Sequence, residues 1–333
     1  MRKMATIREI AKASGFSIAT VSRVLSGSEN VTEETRKKIF KVIKELDYRR
    51  SQSIKGSSFR GIGVLVPDLK EDFYGMVAEG IEEVLLKNHF EMFLSTYRHS
   101  LEKERDALEE FFARKVDGVI VCTTYQDEEC LEKFIEAGIP VVAVDRENTE
   151  LKMDIVTIDN YASSLKIAKY LYDMGHRKVL HVEGLIEVYS ARERKQAFMD
   201  FAQKKEDFNV TFIPATFDVK DGYIAIKKYL DKYGKNFTAI FFANDWMALG
   251  GIKALKEAGL NYPEDISIVG FDDSPLAKYL YPSLTTIKQP VYEMGLNAAK
   301  LLIEKLEGKN ESKVKRRVIL PTKLIIRDSV RKI

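Results

Sequence analysis

A chain of 333 residues, 45% of them hydrophobic, can bury a large core, and it contains no run of about eighteen apolar residues that would span a membrane. Two cysteines, Cys122 and Cys130, lack C-x-x-C spacing, and the four histidines, His89, His99, His176 and His181, form no ligand cluster, so neither a metal nor another cofactor is expected. The net charge of +3 conceals an asymmetry: residues 1–60 hold fourteen Lys or Arg against six Asp or Glu, residues 61–333 hold thirty-nine against forty-four, and a basic end of this kind suits phosphate.

The N-terminal Met1-Arg2-Lys3-Met4 runs directly into a helical pattern without an apolar export segment, which predicts a cytoplasmic protein. Thr6 and Glu9 have capping-box spacing and open a first helix, whose Ile7, Ile10 and Ala11 share a face. Gly15 supplies a left-handed stop, Phe16 packs beneath the turn, and Ser17 caps a second helix. Val21, Val24 and Leu25 point inward there, which leaves Ile18, Ala19, Ser22 and Arg23 outward. Two short helices joined by a tight turn suit the major groove. Arg23 can donate twice to guanine, Ile18 and Ala19 can meet a thymine methyl, and Ser22, Thr20 and the helix N-termini at Thr6 and Ser17 suit phosphate oxygens. A third helix opens at Thr32-Glu33, with Ile39, Phe40, Ile43 and Leu46 facing inward.

From Arg49 the pattern gives way to RRSQSIKGSSFRG, a basic linker, so a headpiece is placed at 1–48 and a linker or hinge at 49–60. Short apolar runs then alternate with amphipathic helices: GIGVLV, EMFLS, DGVIV and IPVVAVD in one series, and DIVTI, HRKVLHV, TFIPA, TAIFFA and ISIVGFD in a second. The expected fold is therefore α/β, an all-α headpiece followed by two doubly wound parallel-sheet lobes.

Open parallel sheets bind ligands beyond the carboxyl ends of their strands. Asp68, Asp145, Asn244, Asp245, Asp272 and Asp273 follow strands, and neither a G-x-G-x-x-G nor a G-K-[ST] loop accompanies them. Carboxylates and amides near Phe73, Tyr74, Phe217 and Trp246 suit a neutral polyhydroxylated ligand, with rings over C–H faces and polar groups on hydroxyls. No nucleophile–base pair or phosphate loop suggests an enzyme.

ATIREIAKASGFSIATVSRVLSG, VTEETRKKIFKVIKELDY, VDGVIV, GIPVVAVDR, IDN, MGHRKV, FFANDWMALGGIKAL, PEDISIVGFDD, SLTTIKQP and LPTKLIIRDS occur in the order in which the LacI/GalR family of bacterial transcription regulators carries them, and over nearly its whole length the chain resembles that family. The resemblance implies a homodimer on near-palindromic double-stranded operator DNA, a small sugar-like effector, and two lobes of the periplasmic-binding-protein type between which the chain crosses back. The lobes then comprise 61–159 with 290–318 and 160–289 with 319–333. It implies base reading by Ile18, Ala19 and Arg23. It also implies effector contacts from Asp145, Ser190, Arg194, Asn244, Asp272 and Gln289, with Phe73, Tyr74 and Phe217 flanking the ligand; Trp246 is assigned to helix packing. A purine or a sugar acid is the alternative effector, since Arg194 can pair with a carboxylate, and a transport receptor shares the two-lobed core. The linker departs from the family pattern. It lacks the proline-containing hinge helix, so Ile54 is either a minor-groove wedge or part of a basic stretch in which Arg49, Arg50 and Lys55 touch phosphates.

Overall fold

The computed structural model describes residues 7–25, 31–45, 60–122, 128–146, 150–308 and 314–333. The expectations for Thr6, Leu46, Arg49, Arg50, Ile54 and Lys55, and for the side chains of Ile7, Glu9 and Leu25, lie outside what is described. The chain divides into an N-terminal unit and a larger unit that begins at Arg60.

The N-terminal unit has three helices, α1 (Ile7–Ser14), α2 (Ile18–Leu25) and α3 (Glu33–Glu45). Ile10, Ala11, Val21, Val24 and Ile39 form its buried centre, with Phe16, Val31, Phe40, Val42 and Ile43 packed around them. Gly15 takes φ 73°, the left-handed conformation that ends α1 without a Cβ penalty.

The larger unit follows in chain order as β1 (Gly61–Val66), α4 (Asp72–Lys87), β2 (Glu91–Thr96), α5 (Leu101–Arg114), β3 (Gly118–Val121), α6 (Glu128–Glu136), β4 (Val141–Val144) and β5 (Asp154–Ile158). It continues with α7 (Asn160–Asp173), β6 (Lys178–Val182), α8 (Tyr189–Lys204), β7 (Asn209–Ile213), α9 (Val219–Tyr233), β8 (Ala239–Phe242), α10 (Asp245–Glu257) and β9 (Ser267–Val269). The last segments are β10 (Thr286–Lys288), α11 (Val291–Leu306), β11 (Arg317–Leu320) and β12 (Lys323–Ile325).

One parallel sheet has the order β11-β5-β4-β3-β1-β2, a second has β7-β6-β8-β9, and β10 pairs with β12 in a two-stranded antiparallel ribbon. The strands β1, β3, β4 and β8 are buried along their whole length, as sheets covered by helices on both faces require. Two expectations are corrected. DIVTI does not open the second series, where periodicity set it; as β5 it sits between β4 and β11 in the first sheet, on the side of residue 159 where the lobe bound set it. Strand β11 runs to Leu320 in that sheet, past the switch placed at 318. A short apolar run followed by a helix reads alike in either sheet, so periodicity alone cannot locate a crossover.

The two sheets are joined by three stretches: between β5 and α7, between β10 and α11, and between β11 and β12. In the first lobe α4 and α11 touch backbone to backbone. A Cβ on Gly80 would lie 2.2 Å from Tyr292 O, and one on Gly295 2.1 Å from Val77 O.

Candidate DNA-reading helix and effector cleft

In the N-terminal unit, Ser17 Oγ accepts from the Thr20 backbone N–H at 3.1 Å and bonds to the Thr20 hydroxyl at 2.8 Å, so these two residues build the cap of α2. The helix buries Val21 and Val24 and exposes Ile18, Ala19, Ser22 and Arg23, with Ile18 48% accessible. An exposed isoleucine and arginine on the outward face of the second helix of such a pair are suited to a thymine methyl and a guanine edge.

In the larger unit, the strand ends of both lobes converge. Arg194, on α8, is 3% exposed; its Nε donates to Asn160 Oδ1 at 3.0 Å and its Nη1 to Ala243 O at 2.5 Å. Its guanidinium lies 3.7 Å over the Phe271 ring and 3.9 Å from Asp272 Oδ1. Asn160, at the start of α7, donates in turn to Asp145 Oδ1 at 3.2 Å, and Thr157 Oγ1 donates to the same oxygen at 3.4 Å. Arg194 is thus linked to Asp145 after β4 through Asn160, and stands beside Asp272 after β9.

Asp272 Oδ1 accepts from Gln289 Nε2 at 2.6 Å. The other end of that amide, Gln289 Oε1, is buried and receives no hydrogen bond among the described residues. Backbone pairing brings the two residues together, since Asp272 N donates to Ile287 O at 2.9 Å and Gln289 N to Asp272 O at 3.2 Å. Asn244 caps α10 by accepting from Met247 N at 2.8 Å, while its Nδ2 donates to Phe217 O at 3.0 Å and to Glu71 Oε2 at 3.1 Å. The Phe217 ring stacks where a side chain on Gly184 would be, 2.3 Å from its ideal Cβ. Phe73 and Tyr74 meet edge to face at 5.0 Å on the first turn of α4, and the buried Tyr74 hydroxyl is held well above the usual phenol range by burial first, then by neighbours including Asp145 and Asp68.

Asp68, Tyr74, Asp145, Arg194, Phe217, Asn244, Asp272 and Gln289 therefore share one electrostatic and hydrogen-bonded neighbourhood. Asp68 is partly engaged within its own lobe. It accepts from Lys70 N at 2.9 Å and bonds His99 Nε2 at 3.0 Å, a contact that holds its carboxyl below the usual range. Ser190 is buried in the first turn of α8, one turn before Arg194, and Phe73 packs chiefly against the first-lobe core.

Sequence reasoning passed over Asn160, Glu71 and Asp72 here, and assigned Trp246 to packing alone. Asn160, inside the quoted IDN, joins Arg194 to Asp145. Glu71 accepts from Asn244, and burial together with the charges of Asp272, Asp68, Asp218 and Asp72 pushes its carboxyl up to about 8. Trp246, assigned to packing, has its indole N–H on Asp72 Oδ1 at 2.7 Å. The signal available for all of them was the one applied to their neighbours, a polar or aromatic residue just past a strand end. Burial also pushes the Asp272 carboxyl up to about 7, against the pull of Arg194. A separate groove of about 430 Å³, lined by Leu249, Ile252, Tyr262, Leu280 and Tyr281 with Lys253, Lys256 and Glu257, contains none of these converging groups. Among the described residues no group of three or more His, Cys, Asp or Glu is placed to hold a metal ion, and no helix is long and apolar enough to cross a membrane.

Comparison with known proteins places this geometry. Residues 6–51 match the model for bacterial regulatory proteins of the lacI family, and residues 168–330 match a periplasmic binding protein-like domain. A ribose operon repressor of Halalkalibacterium halodurans is 32% identical over 331 residues, covering 98% of each chain. The chain belongs to the lacI family. It is accordingly a DNA-binding transcriptional regulator with an effector domain. The HTH-type transcriptional repressor PurR of Vibrio vulnificus is 33% identical across 99% of this chain and 100% of its own. Among solved structures, a LacI family regulator from Enterococcus faecalis with bound ribose superposes with a TM-score of 0.74 at 30% identity, over 82% of this chain and 100% of that one. These matches bear out the expected family and its mixed α/β fold with parallel-sheet lobes. The similar proteins are transcriptional regulators, not enzymes.

Proposed function

We propose that the cleft between the lobes binds a small neutral, hydroxyl-rich effector, on the scale of a monosaccharide, and that its occupancy sets the operator affinity of a cytoplasmic homodimeric repressor of carbohydrate-utilisation genes. The observation that carries this reading is the buried Gln289 Oε1, without a donor among the described residues, on the amide that donates to Asp272. A buried acceptor of this kind costs roughly 1–3 kcal/mol until a donor arrives, and a hydroxyl-rich ligand brings several. The ribose named for the similar structure supports the same class. In this reading Asp145, Asp272 and Gln289 accept from hydroxyls, Asn244 and Arg194 orient the ring, and Phe217 and Tyr74 cover its faces. Ile18, Ala19 and Arg23 read bases on each half of a near-palindromic operator.

PurR is similar over the full chain, so a purine is the second reading. A sugar acid fits less well, because the Arg194 guanidinium already donates to Ala243 O and Asn160 and faces Asp272. Melting of the full-length protein against monosaccharides, polyols, sugar acids and purines tests the three classes, since a ligand of the folded state raises the midpoint by mass action. A sugar that raises it in the wild type and not in Asp272→Ala supports the assignment. A rise with purines alone replaces it.

A further inference from the structure

Three consecutive side chains at the start of α4 reach from the first lobe to the second. Lys70 Nζ lies 3.7 Å from Asp218 Oδ2, Glu71 Oε2 accepts from Asn244 Nδ2 at 3.1 Å, and Asp72 Oδ1 accepts from Trp246 Nε1 at 2.7 Å. The first is between well-exposed groups and contributes little. The second shares Asn244, which also caps α10 and bonds to Phe217 O. The third differs: it is short, partly buried and charge-assisted, and Trp246 Nε1 is a donor with no acceptor capacity. Opening the lobes breaks it, whereas closing them restores it with nothing else in the bond.

We propose that Asp72 and Trp246 form a latch that sets the balance between closed and open cleft, so that both are positioning residues for effector binding without themselves touching the effector. The affinity part of this rests on the cleft being the effector site; the closure part does not. A protein whose competent state is only partly populated binds with an affinity reduced by that fraction, so loosening the latch weakens every effector alike and leaves selectivity unchanged.

Trp246 is the single tryptophan in the chain, so its emission reports on the surroundings of that indole alone. The test compares full-length wild type, Asp72→Ala and Asp72→Asn, the last of which keeps an oxygen acceptor. Acrylamide quenching of Trp246 is read in the ligand-free proteins, and lobe separation is read by spin–spin distances between labels at Glu82→Cys on α4 and Lys228→Cys on α9, both exposed positions. The latch predicts about twofold stronger quenching and a second, altered distance population in Asp72→Ala, with Asp72→Asn near the wild type. Trp246→Phe, which keeps the ring and loses the N–H, should show the same distance change, and the double variant Asp72→Ala with Trp246→Phe should add nothing further.

If ribose binds the wild type, Asp72→Ala should lower its affinity about tenfold, the order expected of a partly exposed charge-assisted bond. If ribose fails to bind, that choice of effector falls while the two ligand-free measurements still decide the latch. Unchanged distances in Asp72→Ala overturn it, whether or not the quenching changes, because a bond that matters only locally would alter the tryptophan and leave the lobes in place.

Discussion

Replacing Arg194 by methionine separates the two things its guanidinium does. Its bonds to Ala243 O and Asn160 Oδ1 satisfy buried acceptors, and leaving each without a donor costs about 1–3 kcal/mol. Methionine keeps contact with the Phe271 ring, so the stacking loss is the smaller part. The ion pair with Asp272 behaves differently, because Asp272 can take up a proton when its partner leaves. At 3.9 Å and an effective dielectric near 20, the attraction is ~4 kcal/mol, or roughly three pH units on the Asp272 carboxyl.

With Arg194 present, burial already lifts that carboxyl to about 7, far above its unfolded value of 3.8. A carboxyl raised on folding contributes stability below its unfolded pKa, and this contribution is lost as pH rises until the folded pKa is passed. In the wild type the loss is complete soon after pH 7. In Arg194→Met it continues toward pH 10 at about 1.4 kcal/mol per pH unit. The variant should therefore be about 2–6 kcal/mol less stable at pH 6, where Asp272 is largely protonated in both proteins, and ~2.5 kcal/mol worse again at pH 9. Glu71 is raised partly by the Asp272 charge, so in the variant, where Asp272 stays protonated to higher pH, Glu71 ionises earlier and enters the pH dependence of the difference. Urea unfolding at pH 6, 7, 8 and 9 measures this, and a difference independent of pH would refute the coupling between Arg194 and Asp272.

Arg23→Ala should weaken operator binding by about 1–3 kcal/mol and relax one base position, measured as retention on operator variants; uniform weakening across all sequences assigns Arg23 to phosphate instead. Gly80→Ala puts a methyl group into the Tyr292 carbonyl, so α4 and α11 must separate, and urea unfolding should show a loss of about 1–3 kcal/mol. His176 is buried between Thr238 Oγ1 at 2.9 Å and Arg331 O at 3.1 Å, and burial lowers its pKa to about 4. A histidine held neutral contributes stability above its unfolded pKa of about 6.5 that drains away as pH falls toward 4, so His176→Gln should flatten the acid limb of the melting curve in that window.

The sequence carried the headpiece helices and most strands because each is a local pattern: 3.6-residue stripes in α1 to α3, unbroken apolar runs in β1, β3, β4 and β8. It also marked Asn244, Asp145 and Asp272, since residues past strand ends are found by counting along the chain. Partnership was not legible. Asn160 bridges Arg194 and Asp145 over separations of 34 and 15 residues, and Trp246 meets Asp72 across 174. Nothing near Trp246 in the chain distinguishes an indole packed on its own helix from one that bonds to the opposite lobe. Periodicity alone misplaced β5 for a related reason, because a strand's neighbours are chosen by the whole lobe, whereas the lobe bound at 159 came with the family resemblance.

The backbone ties the proposed effector groups to the lobe arrangement. Asp145 and Asp272, with Asp273 beside the latter, have φ of 51°, 117° and 56°, a left-handed region that costs a residue with a Cβ about 1–3 kcal/mol. Asp145 is held within the first sheet, and Asp272 and Asp273 largely by the segments around the crossings. Asp145 N donates to Val156 O on β5, and Asp272 is pinned from both sides by Ile287 and Gln289 at β10. Asp273 Oδ1 accepts from Arg327 Nη2 at 2.5 Å, and Arg327 Nη1 donates to Leu284 O at 2.7 Å. A rotation about the crossings would therefore change where Asp272 and Gln289 stand relative to Asp145. A ligand that fits them in one lobe arrangement fits them less well in the other, and that difference in affinity is the only source from which an effector can shift operator binding. Gln289, a proposed ligand contact bonded to Asp272, stands at the crossing between β10 and α11, so ligand fit and lobe arrangement meet in one residue.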